Sequence, residues 1–280
     1  MMARLSKQEQ KLHDRAMELI NSDRPLTYEE KEFCYNNYQG DGLGGSGAFF
    51  TPEGLAWDFT IDAHCTGKVL DLCAGIGRLS FCMLHRCKPE KIVCVELNPE
   101  FARIGKRLLP EAEWITGDVF EFESNEKFDV VISNPPFGKI NTTDTKDVFD
   151  YTGGEFEFKV MTLGQKFADV GYFIVPAGSA GFAYSGRPYY DGSMKSNKYL
   201  KWSKQTGLVT YAGCGIDTSI YRDEWHSTNV LTEVVEVRYY EKEAVEAPKS
   251  HSNEQKEESK EITLPEQENE SGTLSDLFDI

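Results

Sequence analysis

No apolar run in the sequence approaches the ~20 residues a membrane-spanning helix needs, although 40% of its 280 residues are hydrophobic. The opening stretch MMARLSKQEQKLHDR has no apolar h-region and no small-residue cleavage site, so it does not read as a secretory signal. Cysteine is sparse: seven residues, an odd number, with no Cys-x-x-Cys and with Cys73, Cys82 and Cys94 inside apolar stretches. That usage excludes a disulfide framework and a zinc site, and it predicts reduced core thiols in a cytoplasmic protein without a metal centre. Positive charge is also in deficit, with 30 Lys and Arg against 46 Asp and Glu and a net charge of −16. Half of that excess lies from Glu241 onward, where 12 acidic residues face 4 basic ones. A polyanion would have to be met by a local basic patch or through a partner.

What is present divides into three segments. Residues 1–47 read as a helical arm, with Leu5, Leu12, Ala16, Leu19 and Ile20 at helical spacing. A break at Pro25 and a capping box from Thr27 to Glu30 start a second helix, and the glycine-rich Gly40–Gly47 ends the arm. In residues 48–242, Thr51 is expected to cap a helix with Pro52 at its first position, running to about Ala63. From Lys68, the strand-like KVLDLC, KIVCVEL, EWIT, FDVVISN and GYFIVP alternate with the helix-like Arg78–Arg86 and Glu100–Leu109. Near-continuous apolar strands separated by helices predict a parallel sheet covered on both faces. GLVTYAG and VLTEVVEVRYY add two further strands, making a seven-stranded α/β sheet. Residues 243–280 are rich in Glu, Lys, Ser, Gln and Asn, with almost no large apolar residue before Leu274, and read as a disordered acidic tail.

Four strand ends carry chemistry. Asp71 closes the first strand, and the small-residue turn Cys73-Ala74-Gly75-Ile76-Gly77 lets a ligand lie against the backbone where a helix begins. The missing third glycine disfavours a nicotinamide or flavin fingerprint. About twenty residues on, the second strand ends at Glu96, placed to accept both hydroxyls of a ribose. Together these two ends indicate an adenosine-containing cofactor. Gly117-Asp118-Val119 ends the third strand; Asp118 could accept from an adenine amine while Val119 packs on the ring. The fourth ends in Ser133-Asn134-Pro135-Pro136-Phe137-Gly138, a rigid turn because consecutive prolines cannot serve a ladder. The Asn134 side-chain carbonyl and the Pro135 main-chain carbonyl can accept both hydrogens of a planar amine, and Phe137 can stack on the ring that bears it.

In this order, DLCAGIG, VELNP, GDV and SNPPFG resemble the class I S-adenosylmethionine-dependent amino-methyltransferases. The upstream Ala48-Phe49-Phe50-Thr51-Pro52 is similar to the segment preceding the first motif in gamma-class DNA adenine-N6 methyltransferases and type I modification subunits. The resemblance spans roughly residues 40–240 and implies a Rossmann-like seven-stranded fold. It implies that Phe50, Thr51, Asp71, Ala74, Gly75 and Gly77 hold the methionine part of S-adenosylmethionine, Glu96 the ribose, and Asp118 and Val119 the adenine. Asn134, Pro135, Pro136 and Phe137 would form the catalytic turn at the acceptor. The implied activity is adenine-N6 methylation of DNA. RNA adenine, a protein glutamine, or a catalytically idle subunit are the alternatives. A separate target-recognition domain does not fit in the hundred or so residues between Phe137 and the last strand.

For the acceptor strand, the sequence offers Lys139, Lys146, Arg187, Lys195, Lys198, Lys201 and Lys204 interleaved with Tyr184, Tyr189, Tyr190, Tyr199 and Trp202. Such interleaving suits a single strand; a solvated helix with its aromatics facing the core is the other reading. At the far end, Asp276-Leu277-Phe278 resembles the terminal part of bacterial sliding-clamp-binding peptides, without their leading Gln, which would make Leu277 and Phe278 a clamp anchor.

Overall fold

A computed structural model describes residues 5–40, 49–140, 150–225 and 229–240. The acidic tail with its Leu277 and Phe278, residues 41–47 of the glycine-rich segment, and Lys146 lie outside the described residues.

Fourteen regular helices and strands carry the described fold: α1 Lys7–Ile20, α2 Tyr28–Asn37, α3 Glu53–Asp62, β1 Lys68–Leu72, α4 Arg78–Cys87, β2 Lys91–Glu96, α5 Pro99–Leu108, β3 Glu113–Thr116, β4 Val130–Ser133, α6 Phe156–Leu163, β5 Val170–Pro176, α7 Asn197–Thr206, β6 Thr210–Tyr211 and β7 Thr232–Arg238. The strands form one seven-stranded sheet in the order β3-β2-β1-β4-β5-β7-β6. β1 pairs in parallel with β2 and β4, β2 with β3, and β4 with β5, whereas β7 runs antiparallel to β5 and β6. The parallel part is the sheet the alternating pattern predicts, and the whole is the seven-stranded Rossmann-like fold that the resemblance implies. The order also brings the carboxyl ends of β3, β2, β1 and β4 side by side along one edge.

Successive strand residues face opposite sides, and the two cores follow that alternation. Val69, Ile92, Cys94, Val130 and Ile132 enter one apolar cluster; Leu70, Leu72, Val93, Val95 and Val131 enter the other. The first cluster is covered by α3, α4 and α5 and also by the arm, since Ala16, Leu19, Ile20, Cys34, Tyr35 and Tyr38 belong to it. The arm is therefore built into the core of the sheet. The second cluster is covered by α6 and α7 through Phe158, Val160, Tyr199 and Trp202.

Both arm helices begin with capping boxes. The predicted one at Thr27 and Glu30 starts α2, and a second at Ser6 and Glu9 starts α1. Thr51 does not cap α3: Pro52 occupies the cap position without a side-chain bond, and the Thr51 hydroxyl accepts from Asn134 Nδ2 at 2.9 Å instead. GLVTYAG yields only the two-residue β6. Four of the seven cysteines are buried, and all seven are free thiols.

Candidate active site

The turn after β1 is shaped by backbone that few residue types adopt. Cys73, Gly75 and Gly77 all have positive φ, at 60°, 59° and 90°. Gly77 starts α4 in this conformation, and a Cβ there would lie 2.9 Å from the indole of Trp114. No other residue satisfies both conditions without displacing Trp114. The neighbouring Ala74 N–H donates to the Val95 carbonyl at 3.0 Å, which fastens the turn to β2.

Asp71 points from β1 to the α4 side of the sheet. Its Oδ2 accepts from the Ser80 hydroxyl at 2.7 Å, while its Oδ1 is buried and has no hydrogen-bond partner. Burial pushes the Asp71 carboxyl up to about 7, the nearby Glu96 adds to the rise, and the Ser80 bond opposes it. Glu96, at the end of β2, accepts from the Gly75 N–H and the Asn98 N–H, both at 2.8 Å. Burial raises this carboxyl as well, against the pull of those N–H bonds. Glu96 thus braces the turn directly, with acceptor capacity left on its two oxygens. Beside it, Asp118 Oδ1 accepts from the Phe120 N–H at 2.9 Å in a tight local turn, and Val119 is buried.

At the end of β4, Asn134 Nδ2 donates to the Phe49 carbonyl at 3.2 Å and to Thr51 Oγ1. A backbone carbonyl can only accept, so the amide nitrogen must face it and the orientation of the Asn134 amide follows. Its Oδ1 is left buried and without a donor. Pro135 is buried and Pro136 half-buried. Phe137 stands between Phe49 and Trp225, with ring centroids 6.1 and 6.4 Å away. Behind this turn, the fully buried Glu157 of α6 accepts from the Gly138 N–H and from the Ser179 hydroxyl, both at 2.8 Å.

One cleft gathers much of this. Phe50, Thr51, Asp71, Ala74, Gly75 and Asn134 all line it. Gly77, Glu96, Asp118 and Val119 do not line that cleft; the last three extend along the same sheet edge through β2 and β3. Three functional candidates carry no signal in the sequence motifs. Arg78 also lines the cleft, Trp225 flanks Phe137, and Glu157 holds Gly138.

The basic and aromatic stretch divides differently from the interleaved reading. Tyr199 and Trp202 face the core, at 2% and 0% exposure, and Trp202 Nε1 donates to Thr162 Oγ1 at 2.9 Å. Lys198 lies 3.4 Å from Glu157. Lys139, Arg187, Lys195, Lys201 and Lys204 are exposed, together with Tyr189 and Tyr190. Tyr184 and Tyr190 meet Tyr211 and Arg238 around a second cavity of about 450 Å³ beside β6.

A family model described as the methyltransferase small domain matches residues 59–150. A release factor glutamine methyltransferase of Clostridium acetobutylicum is 32% identical over 78 residues, covering 25% of this chain and 27% of the relative. A tRNA1(Val) (adenine(37)-N6)-methyltransferase of Aliivibrio fischeri is 26% identical over 113 residues, covering 38% and 48%. The chain thus spans between about a quarter and a half of these relatives' lengths. A crystal structure of an S-adenosylmethionine-dependent methyltransferase from Clostridium acetobutylicum aligns over 65% of this chain and 89% of its own, with 14% identity and a TM-score of 0.40. The four motifs stand in order along one sheet edge, the match to the methyltransferase small domain runs through all of them, and together they support a class I S-adenosylmethionine-dependent methyltransferase.

Proposed function

We propose that this chain methylates the exocyclic N6 amine of adenine in a nucleic acid. One observation carries the reading: Asn134 Oδ1 is a buried acceptor with no donor, on an amide whose other end is pinned by Phe49 and Thr51. An unsatisfied acceptor of that kind costs about 1–3 kcal/mol, and an incoming N–H relieves it. The Pro135 carbonyl supplies a second acceptor, so both amine hydrogens can be held while the nitrogen lone pair points toward the cofactor side of the cleft. Phe137, set between Phe49 and Trp225, offers the face on which a planar base stacks.

The cofactor fits the residues present. Asp71 Oδ1 is a buried acceptor suited to a donor such as the ammonium of the methionine part. Phe50, Thr51, Ala74, Gly75 and Gly77 would hold the rest of that part, Glu96 the ribose, and Asp118 and Val119 the adenine. When bound, S-adenosylmethionine supplies an already activated methyl group on a sulfonium. The chain's own task is to align the amine in line with that group, exclude water and let the surplus amine proton leave to solvent. No side-chain nucleophile is needed. Residues 48–242 would hold this machinery, with residues 1–47 buttressing it and residues 243–280 outside it.

The Aliivibrio fischeri relative is named for a tRNA adenine, which favours RNA as the acceptor; the Phe49-Phe50-Thr51-Pro52 segment is similar to that of DNA enzymes. A base in a duplex would have to be flipped outward to reach Asn134. The glutamine reading has one observation on its side, the 78-residue match to a glutamine methyltransferase. Phe137 weighs against it, because the usual turn of the protein-directed branch has tyrosine there. Transfer of a tritiated methyl group to RNA, DNA and extract protein, followed by nucleoside analysis, tests the proposal. N6-methyladenine in either nucleic acid is expected, and the better substrate fixes which. Label confined to protein would overturn it.

A further inference from the structure

Four buried side-chain polar atoms of the described residues have no hydrogen-bond partner: Tyr35 Oη, Asp71 Oδ1, Arg78 Nη1 and Asn134 Oδ1. Asp71, Arg78 and Asn134 line one cleft, and the Tyr35 ring lies 4.8 Å beneath the Arg78 guanidinium. Native interiors satisfy nearly all such atoms, so a cluster around one cleft points to a ligand. The proposed function assigns Asp71 and Asn134 but leaves Arg78 unexplained.

Arg78 is only 5% exposed. A buried guanidinium without an opposing charge is costly, by several kcal/mol even after relaxation. Its Nη2 donates to Asn36 Oδ1, and Asn36 Nδ2 in turn donates to Glu53 Oε2 at 2.5 Å. These are neutral contacts at the guanidinium itself; among the described residues no carboxylate forms an ion pair with it. The remaining Nη1 is the unmatched part. Arg78 is also the first residue of α4, where the helix dipole adds positive potential. Asp71, of opposite sign, lines the same cleft with its own oxygen unmatched. A cleft that presents one buried cation and one buried carboxylate, each missing a partner, is complementary to a zwitterionic α-amino-acid group.

We propose that Arg78 binds the carboxylate of the methionine part of the cofactor, opposite Asp71 at the ammonium, and that α2 of the arm holds Arg78 in place through Tyr35 and Asn36. The inference rests on the reading of this cleft as the S-adenosylmethionine site. It gives the arm a direct role in cofactor recognition: Tyr35 sets the plane of the guanidinium and Asn36 occupies one of its edges, which leaves the other edge for the ligand.

Calorimetry with the full chain separates the possibilities. The probes are S-adenosylhomocysteine and its decarboxylated analogue, which keeps the ammonium and lacks the carboxylate. The unmodified chain is expected to prefer S-adenosylhomocysteine by about 10- to 100-fold, as suits a charge-assisted contact in a buried site. Arg78→Met should bring that ratio to within about threefold by weakening S-adenosylhomocysteine alone, and Arg78→Lys should retain part of it. Should Arg78→Met fail to fold, Arg78→Lys and the two-probe ratio of the unmodified chain decide. Equal affinity of the unmodified chain for the two probes would overturn the proposal and leave the cofactor site standing. Variants that lose both probes equally would do the same. Binding of neither probe by the unmodified chain would overturn the cofactor reading as well.

Discussion

Asp71 should make cofactor affinity depend on pH near neutrality. Its carboxyl is buried and shifted from 3.8 to about 7, chiefly by burial and further by Glu96. Before the cofactor binds, the group is therefore largely protonated below pH 7, whereas holding an ammonium requires the carboxylate. Binding below pH 7 must then release about one proton, and affinity falls about tenfold for each unit of acidification below that point. From pH 8 to pH 6 roughly a tenfold loss is expected, and the dependence should flatten above about pH 7.5. Stability of the unliganded chain follows the same group with a definite sign. The folded pKa lies above the unfolded one, so the folded state binds more protons between about pH 4 and 7 and stability declines as pH rises across that window. A rise of that size corresponds to about 4 kcal/mol of cost, fully present above pH 7. Asp71→Asn removes it: the variant should gain up to about 4 kcal/mol over the natural chain at pH 8 and almost nothing at pH 4. Its residual cofactor binding should show no pH dependence between about pH 6 and 8. Titration calorimetry in buffers of differing ionisation enthalpy counts the released proton, and urea unfolding at several pH values gives the stability difference. A stability difference that stays constant from about pH 5 to 8, or proton release that survives in Asp71→Asn, would refute the reasoning.

The other expectations are simpler. Asn134→Ala should lower methyl transfer by about 10²–10³, as loss of a well-placed polar contact to the reacting group does, with cofactor affinity changed only a few-fold; equal loss of both would contradict the division of roles. Gly77→Ala should destabilise by about 2–4 kcal/mol in urea unfolding, since the left-handed backbone and the Trp114 contact both penalise a Cβ. Trp202→Ala should cost about 3–5 kcal/mol through the cavity it leaves, whereas Tyr190→Ala, at 53% exposure, should leave stability within about 0.5 kcal/mol and weaken single-strand binding measured by fluorescence anisotropy.

The sheet was legible because its strands are short, apolar and closely spaced, and buried parallel strands leave little room for polar interruptions. Strand order and the antiparallel direction of β7 were not legible, because they depend on pairings between segments distant in the chain. The errors have particular physical causes. Thr51 has the local chemistry of a helix cap, but its hydroxyl is claimed by Asn134, 83 residues downstream, a competition no local window contains. In α7, Lys198, Tyr199 and Trp202 alternate with exposed lysines in a pattern that fits a solvated helix and a binding face equally well. Burial against Phe158, whose ring stacks 5.2 Å from Trp202, selects the first.

At the site, the residues read from sequence are those whose chemistry is confined to a strand end: an acid, a small-residue turn, an Asn-Pro-Pro-Phe. Those that were missed act across elements. Arg78 looks like an ordinary basic residue after a glycine turn, and only its placement against Tyr35 and Asn36 of α2 marks it as a buried cation with one edge unmatched. Trp225 acquires meaning only beside Phe137, 88 positions earlier in the chain. The four unpartnered atoms supply the common thread. A sequence lists polar groups without saying which of them the fold leaves unsatisfied, and the unsatisfied ones are where a ligand gains most by binding. Here their signs differ along the cleft: a cation at Arg78, a carboxyl at Asp71 and a neutral acceptor at Asn134. The first two match the ends of an amino acid and the third matches an amine donor. Donor and acceptor of the methyl group can therefore be told apart by the polar atoms they would satisfy.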